Sequence, residues 1–180
     1  MNSLSKKIEN LRKSKSSFLV PKFLVFDVKT FDKNSEFVFK EVRKKFKKKT
    51  VAIRSSSIQE DNSTSNAGKY HSELNVKIDK KHILSATKKV INSYDPEFRN
   101  KEKFIIQRMI TDSKITGVIF TRDQNNGLPF TTVNFTLGKK TDLITSGKQN
   151  GYVFRYLNTF EPKFKKFNLD KIDKFISKLK

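Results

Sequence analysis

A chain of 180 residues is long enough for one medium domain, or two small lobes, with a buried core. Its 35% hydrophobic and 32% charged residues fit neither a membrane protein nor a disordered tail, and no run approaches the ~20 apolar residues of a spanning helix. The absence of cysteine excludes disulfides, thiolate metal sites and a cysteine nucleophile, and His71 and His82 alone are too few for a multi-histidine metal site.

Lys and Arg number 39 against 18 acidic residues, a net charge of +21 that raises the question of a polyanion partner. Lysine supplies 32 of the 39, spread along the chain, whereas base readout and bidentate phosphate clamping favour arginine. Compositional drift therefore explains the excess better than a nucleic-acid interface. Neither a specific nucleic acid nor a membrane is expected as partner. The polar N-terminus lacks an apolar signal core, so a cytoplasmic location is expected.

In chain order, Leu4, Ile8 and Leu11 share one face of a short helix that Ser14 to Ser17 end. After Pro21 the apolar run 23–26 predicts a strand. Residues 32–48 predict a helix with Asp32 as N-cap and Phe39, Val42 and Phe46 inward. The lysines at its end, 44–49, complement the negative end of the helix dipole. Residues 51–54 predict a short buried strand that runs into a Ser/Asn/Gly loop at 55–68. Such a strand and loop can offer backbone N–H groups to phosphate. A strand at 72–76 and a helix at 79–93 follow, the helix capped by Asp79 with Ile83, Leu84, Val90 and Ile91 on its apolar side. Strands are predicted at 104–110, 115–120, 130–137 and 151–157, with turns at 111–114 and 122–129. The tail at 168–180 has the pattern of an amphipathic helix, with Leu169, Ile172, Phe175, Ile176 and Leu179 inward. The mixture sets the class as α/β or α+β.

Two blocks exceed what composition explains. In the first, Val51, Arg54, Ser55, Ser56, Glu60 and Asp61 fit a V-x-R-S-S-x-x-x-E-D pattern. Ala67, Gly68, Ser72, Leu74, Asn75 and Val76 then fit A-G-x-x-x-S-x-L-N-V. In the second, Gln107 and Met109 fit V-Q-x-M, and Gly117, Val118, Phe120 and Thr121 fit S-G-V-x-F-T. In this order they resemble the nucleotide-binding domain of phosphoenolpyruvate synthase and pyruvate phosphate dikinase, an ATP-grasp fold. Lys7, Asn10 and Leu11 fit the end of the family's opening G-G-K-x-x-N-L, with Ser5 and Lys6 in place of its glycines. The forms at 7–11 and 141–147 are similar to a subgroup encoded with surface-polysaccharide genes.

The resemblance implies ATP as ligand, held between two lobes, here 1–109 with a hinge strand and 110–180 as a partial second lobe. It implies that Lys7 and Arg54 neutralise phosphate charge and are the catalytic candidates. The loop from Ser55 and Ser56 to Gly68 would cover the phosphates, Gln107 and Met109 would lie near adenine, and Thr121 on the far side. By position alone, Lys7 reads as an exposed lysine. Arg54 reads equally as a phosphate ligand or as a strand-end arginine paired with Glu60 or Asp61. Met109 reads as core filler. The family's phosphohistidine belongs to a different domain, and neither His71 nor His82 lies in its motif, so both are expected on the surface.

The family's D-x-E-W-A and Q-x-R-P segments, which supply the Mg²⁺ carboxylates and further phosphate contacts, have no counterpart after Leu157. The expectation is therefore an incomplete ATP-grasp fold with no metal ligands of its own. It would be the ATP-binding part of a phosphotransferase, completed by a second chain. The alternatives are a basic RNA-binding module and a catalytically dead scaffold of the same fold.

Overall fold

A computed structural model of the chain describes residues 9–10, 19–47, 50–57, 70–123, 125–137 and 152–159. It divides into two units, residues 1–110 and 111–180. The predicted helix at 4–11 is represented by Glu9 and Asn10, both helical. The predicted loop beyond Ser57, 58–68, and the predicted helix at 168–180 lie outside the described residues.

The first unit contains β1 (Phe23–Asp27), α1 (Val28–Lys33), α2 (Ser35–Phe46), β2 (Val51–Ser56), β3 (Ser72–Val76), α3 (Lys80–Asn92) and β4 (Lys103–Arg108). Its strands form one antiparallel sheet in the order β1-β4-β2-β3. The last strand thus enters between the first and the second, and β2 and β4 become the two central strands. The β2–β4 register is unbroken from Val51↔Arg108 to Ser56↔Lys103, so alternate residues fall strictly on opposite faces. One face carries Val51, Ile53, Phe104 and Ile106. These pack with Val38, Phe39, Val42 and Phe46 of α2 and Ile83, Val90 and Ile91 of α3 in one buried cluster. Fully burying each such side chain contributes about 1.5–3 kcal/mol. Phe31 meets the Phe104 ring edge-on at 6.0 Å, which locks α1 against the same layer.

The expected helix at 32–48 is two helices, and Asp32 is not its cap. Val28 and Phe31 are both buried, so the chain turns helical directly after β1. Asn34 then interrupts at φ −153°, ψ 77°, and its side chain accepts the Phe37 N–H at 2.9 Å. Either residue has the chemistry of a cap. Asp32 is instead engaged by Arg99, at 2.9 and 3.1 Å. The cap of α3 is Asp79, which accepts the His82 N–H at 2.9 Å. Arg43, Lys44 and Lys45 occupy the last turn of α2.

The second unit is an antiparallel meander of β5 (Ile115–Phe120), β6 (Phe130–Leu137) and β7 (Tyr152–Leu157). The alternation of β6 holds: Val133 and Phe135 are buried with Tyr156 and backed by Ile115, Ile119 and Phe154. Phe135 stacks on Tyr152 and on Phe154, with centroids 5.4 and 5.8 Å apart. The class is α+β: helices with wholly antiparallel sheets. No helix among the described residues is long and apolar enough to cross a membrane.

Candidate functional site

Strand parity sorts the candidate residues of the first unit. Helices cover the face of Val51, Ile53 and Phe104. Ala52, Arg54 and Ser56 of β2 therefore share the opposite face with Lys103, Ile105 and Gln107 of β4. Arg54 pairs with Ile105 on one side and Ser72 on the other. Gln107 and Lys103 are its two diagonal neighbours, a separation of about 7–8 Å in an ideal ladder. Around them Phe23, Ala52 and Ile105 are buried, although none belongs to the helix-side cluster.

Arg54 is half-buried in this setting. Burial draws its pKa below the ordinary arginine value. Among the described residues its guanidinium forms no ion pair, and burial is the one influence on its pKa. Of the two readings the sequence left open, pairing with Glu60 or Asp61 concerns residues outside the described ones. A permanently charged fork partly withheld from water calls for an anionic partner, and its planar donors match phosphate oxygens.

Ser55 separates from the others. It stands opposite Phe104 on the helix-covered face and is buried, so only its main chain could serve a ligand on the Arg54 face. Ser56 shares the Arg54 face and is fully buried. Met109 lies just past β4, and its N–H donates to Thr50 O at 3.0 Å. That bond prolongs the β2–β4 ladder by one rung and engages its backbone donor. Lys7 and Gly68 lie outside the described residues.

Sequence reasoning missed Lys103. It stands directly opposite Ser56, and its Nζ is 3.5 Å from Asp27, its register partner on β1. In sequence it is one more lysine in a lysine-rich run, and only the β2–β4 register identifies it as a second cation on this face.

In the second unit Thr121 is exposed at the end of β5, and its carbonyl accepts from Asn158 Nδ2 at 3.0 Å. The turn beyond is organised by Asp123, which accepts from the backbone of Asn125 and Asn126 at 3.0 and 3.3 Å and from Arg155 at 2.6 Å. Those bonds, Asn125 first, hold its carboxyl below the usual range.

Two motif residues have backbone reasons. Asn75 sits at φ 56°, where β3 loses register with β2 between Val51 and Ile53. Asparagine tolerates this left-handed conformation better than most residues. At Gly117 a Cβ would lie 2.3 Å from Asn134 O and 2.8 Å from Phe135 Cβ. Only glycine permits that close approach of β5 to β6.

Both histidines are exposed. His71 Nε2 is 2.8 Å from Glu73 Oε1, and His82 Nδ1 is 2.6 Å from Asp79 Oδ2. The His71 bond, joined by Lys89, holds the Glu73 carboxyl below its ordinary range. Among the described residues no cluster of three or more His, Asp or Glu side chains could hold a metal ion.

Comparison with known families gives one match, to the model described as pyruvate phosphate dikinase, AMP/ATP-binding domain, over residues 2–148. A comparison with curated proteins gives no match.

Proposed function

The chain belongs to the family of the pyruvate phosphate dikinase AMP/ATP-binding domain, and from that premise we propose that ATP binds on the Arg54 face of the first unit's sheet, opposite the helix-packed face, with Arg54 holding its phosphates. The architecture on this reading is ATP-grasp. The observation that carries it is the Arg54 guanidinium, half-buried and without an ion pair among the described residues, at the position the family pattern reserves for arginine. Lys103 and Ser56 stand on the same face beside it. Gln107 lies on the diagonal away from Lys103, next to the buried apolar side chains of Phe23, Ala52 and Ile105, and is assigned to adenine. Lys7 and the main chain at Ser55 and Gly68 are assigned to the phosphates, Met109 to adenine and Thr121 of the second unit to the far side of the nucleotide. All rest on the motif pattern.

The role of the chain is to bind and orient ATP within a phosphotransferase of the phosphoenolpyruvate synthase and pyruvate phosphate dikinase type. In that chemistry Mg²⁺ neutralises phosphate charge. Its carboxylate ligands are assigned to sequence outside these 180 residues, in the same protein or in a second chain.

Calorimetric titration of Mg·ATP into the chain, with Arg54→Ala as control and salt varied, tests the reading. A hydrogen bond to a charged group is worth about 1.5–3 kcal/mol, so Arg54→Ala is expected to weaken binding by about 10- to 150-fold. Saturable binding should survive moderate salt, unlike attraction to a merely basic surface. Equal affinity in the wild type and Arg54→Ala would refute the phosphate assignment.

A further inference from the structure

The last rung of the two central strands is unusual. Ser56 and Lys103 are register partners, and the Ser56 N–H also donates to the Tyr94 hydroxyl at 3.1 Å. The same hydroxyl donates onward to Lys103 O. The phenol therefore touches both central strands at the last rung of their ladder and ties Ser56 to Lys103. One residue later, Ser57 Oγ donates to Glu102 Oε1 at 2.6 Å, with Ser57 fully buried and Glu102 3% exposed. Glu102 is itself held at both backbone atoms: its N–H donates to Arg99 O at 3.2 Å, and its carbonyl accepts from Val28 N at 3.1 Å. Tyr94 is fixed by its ring, edge-on to Tyr70 at 5.3 Å.

A glutamate inside a folded unit is rare, because a buried carboxyl is costly unless hydrogen-bonded. Its bond to Ser57, with the Tyr94 bridge one residue earlier, holds the two residues at which the chain leaves β2. Ser56 and Ser57 are also the second and third residues after Arg54.

We propose that Tyr94 and Glu102 are positioning residues of the nucleotide site, acting through Ser56 and Ser57 to aim the end of β2 relative to Arg54. The inference rests on the nucleotide reading above. Neither residue touches ATP. Tyr94 ties the ends of the two central strands together, and Glu102 holds Ser57. Ser57 and Glu102 share a bond, so removing both partners costs less than the sum of the two single removals.

The test measures the Kd for Mg·ATP and the thermal midpoint of the wild type and the variants Tyr94→Phe, Ser57→Ala, Glu102→Ala, Glu102→Gln and Ser57→Ala/Glu102→Ala, with Arg54→Ala alongside. Glu102→Ala and Ser57→Ala are each expected to weaken ATP binding by about tenfold, with the double variant well short of the product of the two, since residues sharing a bond are not additive. Glu102→Gln keeps an oxygen that accepts from Ser57 and is expected to restore affinity to within about threefold of wild type. A general loss of structure would not be rescued in this way. Tyr94→Phe keeps the ring and is expected to weaken ATP binding while the protein stays folded. If Arg54→Ala loses ATP but Glu102→Ala and Tyr94→Phe, both folded, bind as the wild type does, the positioning role is overturned and the nucleotide reading stands. If the wild type itself binds no ATP, both fall.

Discussion

Replacing Arg54 by methionine should separate stability from binding. The guanidinium is half-buried between Ile105 and Ser72, with no ion pair among the described residues. Exchanging buried ionic groups for well-packed apolar ones of similar volume stabilises proteins by up to about 1–4 kcal/mol. Arg54 keeps part of its surface in water, so the lower end applies, about 1 kcal/mol. Methionine is unbranched and of similar reach, and it can follow the path of the arginine stem over Ala52 and Ile105 without overpacking. For a unit of this size a gain of 1 kcal/mol raises the thermal midpoint by about 4–6 °C. With ATP the order should reverse. A ligand at 100 times its Kd stabilises the wild type by about 2.7 kcal/mol, whereas a variant binding 10- to 150-fold more weakly gains only about 0.3–1.4 kcal/mol. Thermal unfolding followed by circular dichroism, with and without Mg·ATP, reads both effects. If Arg54→Met unfolds earlier than the wild type in the absence of ATP, Arg54 is anchored within the fold, and the reasoning from an unpaired charge is refuted.

Thr87 is fully buried in α3, and its Oγ1 has no hydrogen-bond partner among the described residues. Thr87→Val keeps the shape and removes the orphaned hydroxyl, so it should stabilise by about 1 kcal/mol, read as a higher urea midpoint at unchanged m-value. Gly117→Ala forces a methyl to within 2.3 Å of a backbone oxygen of β6. It should cost about 1–3 kcal/mol, read as lost amide protection across β5 and β6 while the first unit keeps its protection. Asn75→Ala should cost about 1 kcal/mol and Asn75→Gly almost nothing, because alanine resists the left-handed region and glycine does not. Unchanged ATP affinity in a folded Asn75→Gly protein would mark Asn75 as a backbone device, whereas a tenfold loss would make it a ligand.

The strands and helices were largely legible, since each depends on chemistry within a few residues. The alternation over 130–137 is enough to specify a half-buried strand, and Asp79 ahead of an amphipathic run is enough to start a helix. The misplaced cap shows where local chemistry ends. Asp32 and Asn34 are both good caps, and the choice between them was made by Arg99, a residue 67 positions away that engages Asp32. Motif pattern pointed to Arg54, Ser55 and Ser56 together. Parity alone separates Ser55 from its neighbours, but parity does not say which face α2 and α3 cover. That is decided by β4 entering between β1 and β2, which also brings Lys103 beside Arg54 and Glu102 beside Ser57. Periodicity and capping act within one or two turns of chain and are written in the sequence. Which face is buried, and which distant residues share it, depends on pairings between segments far apart, and those exist only once the chain has folded.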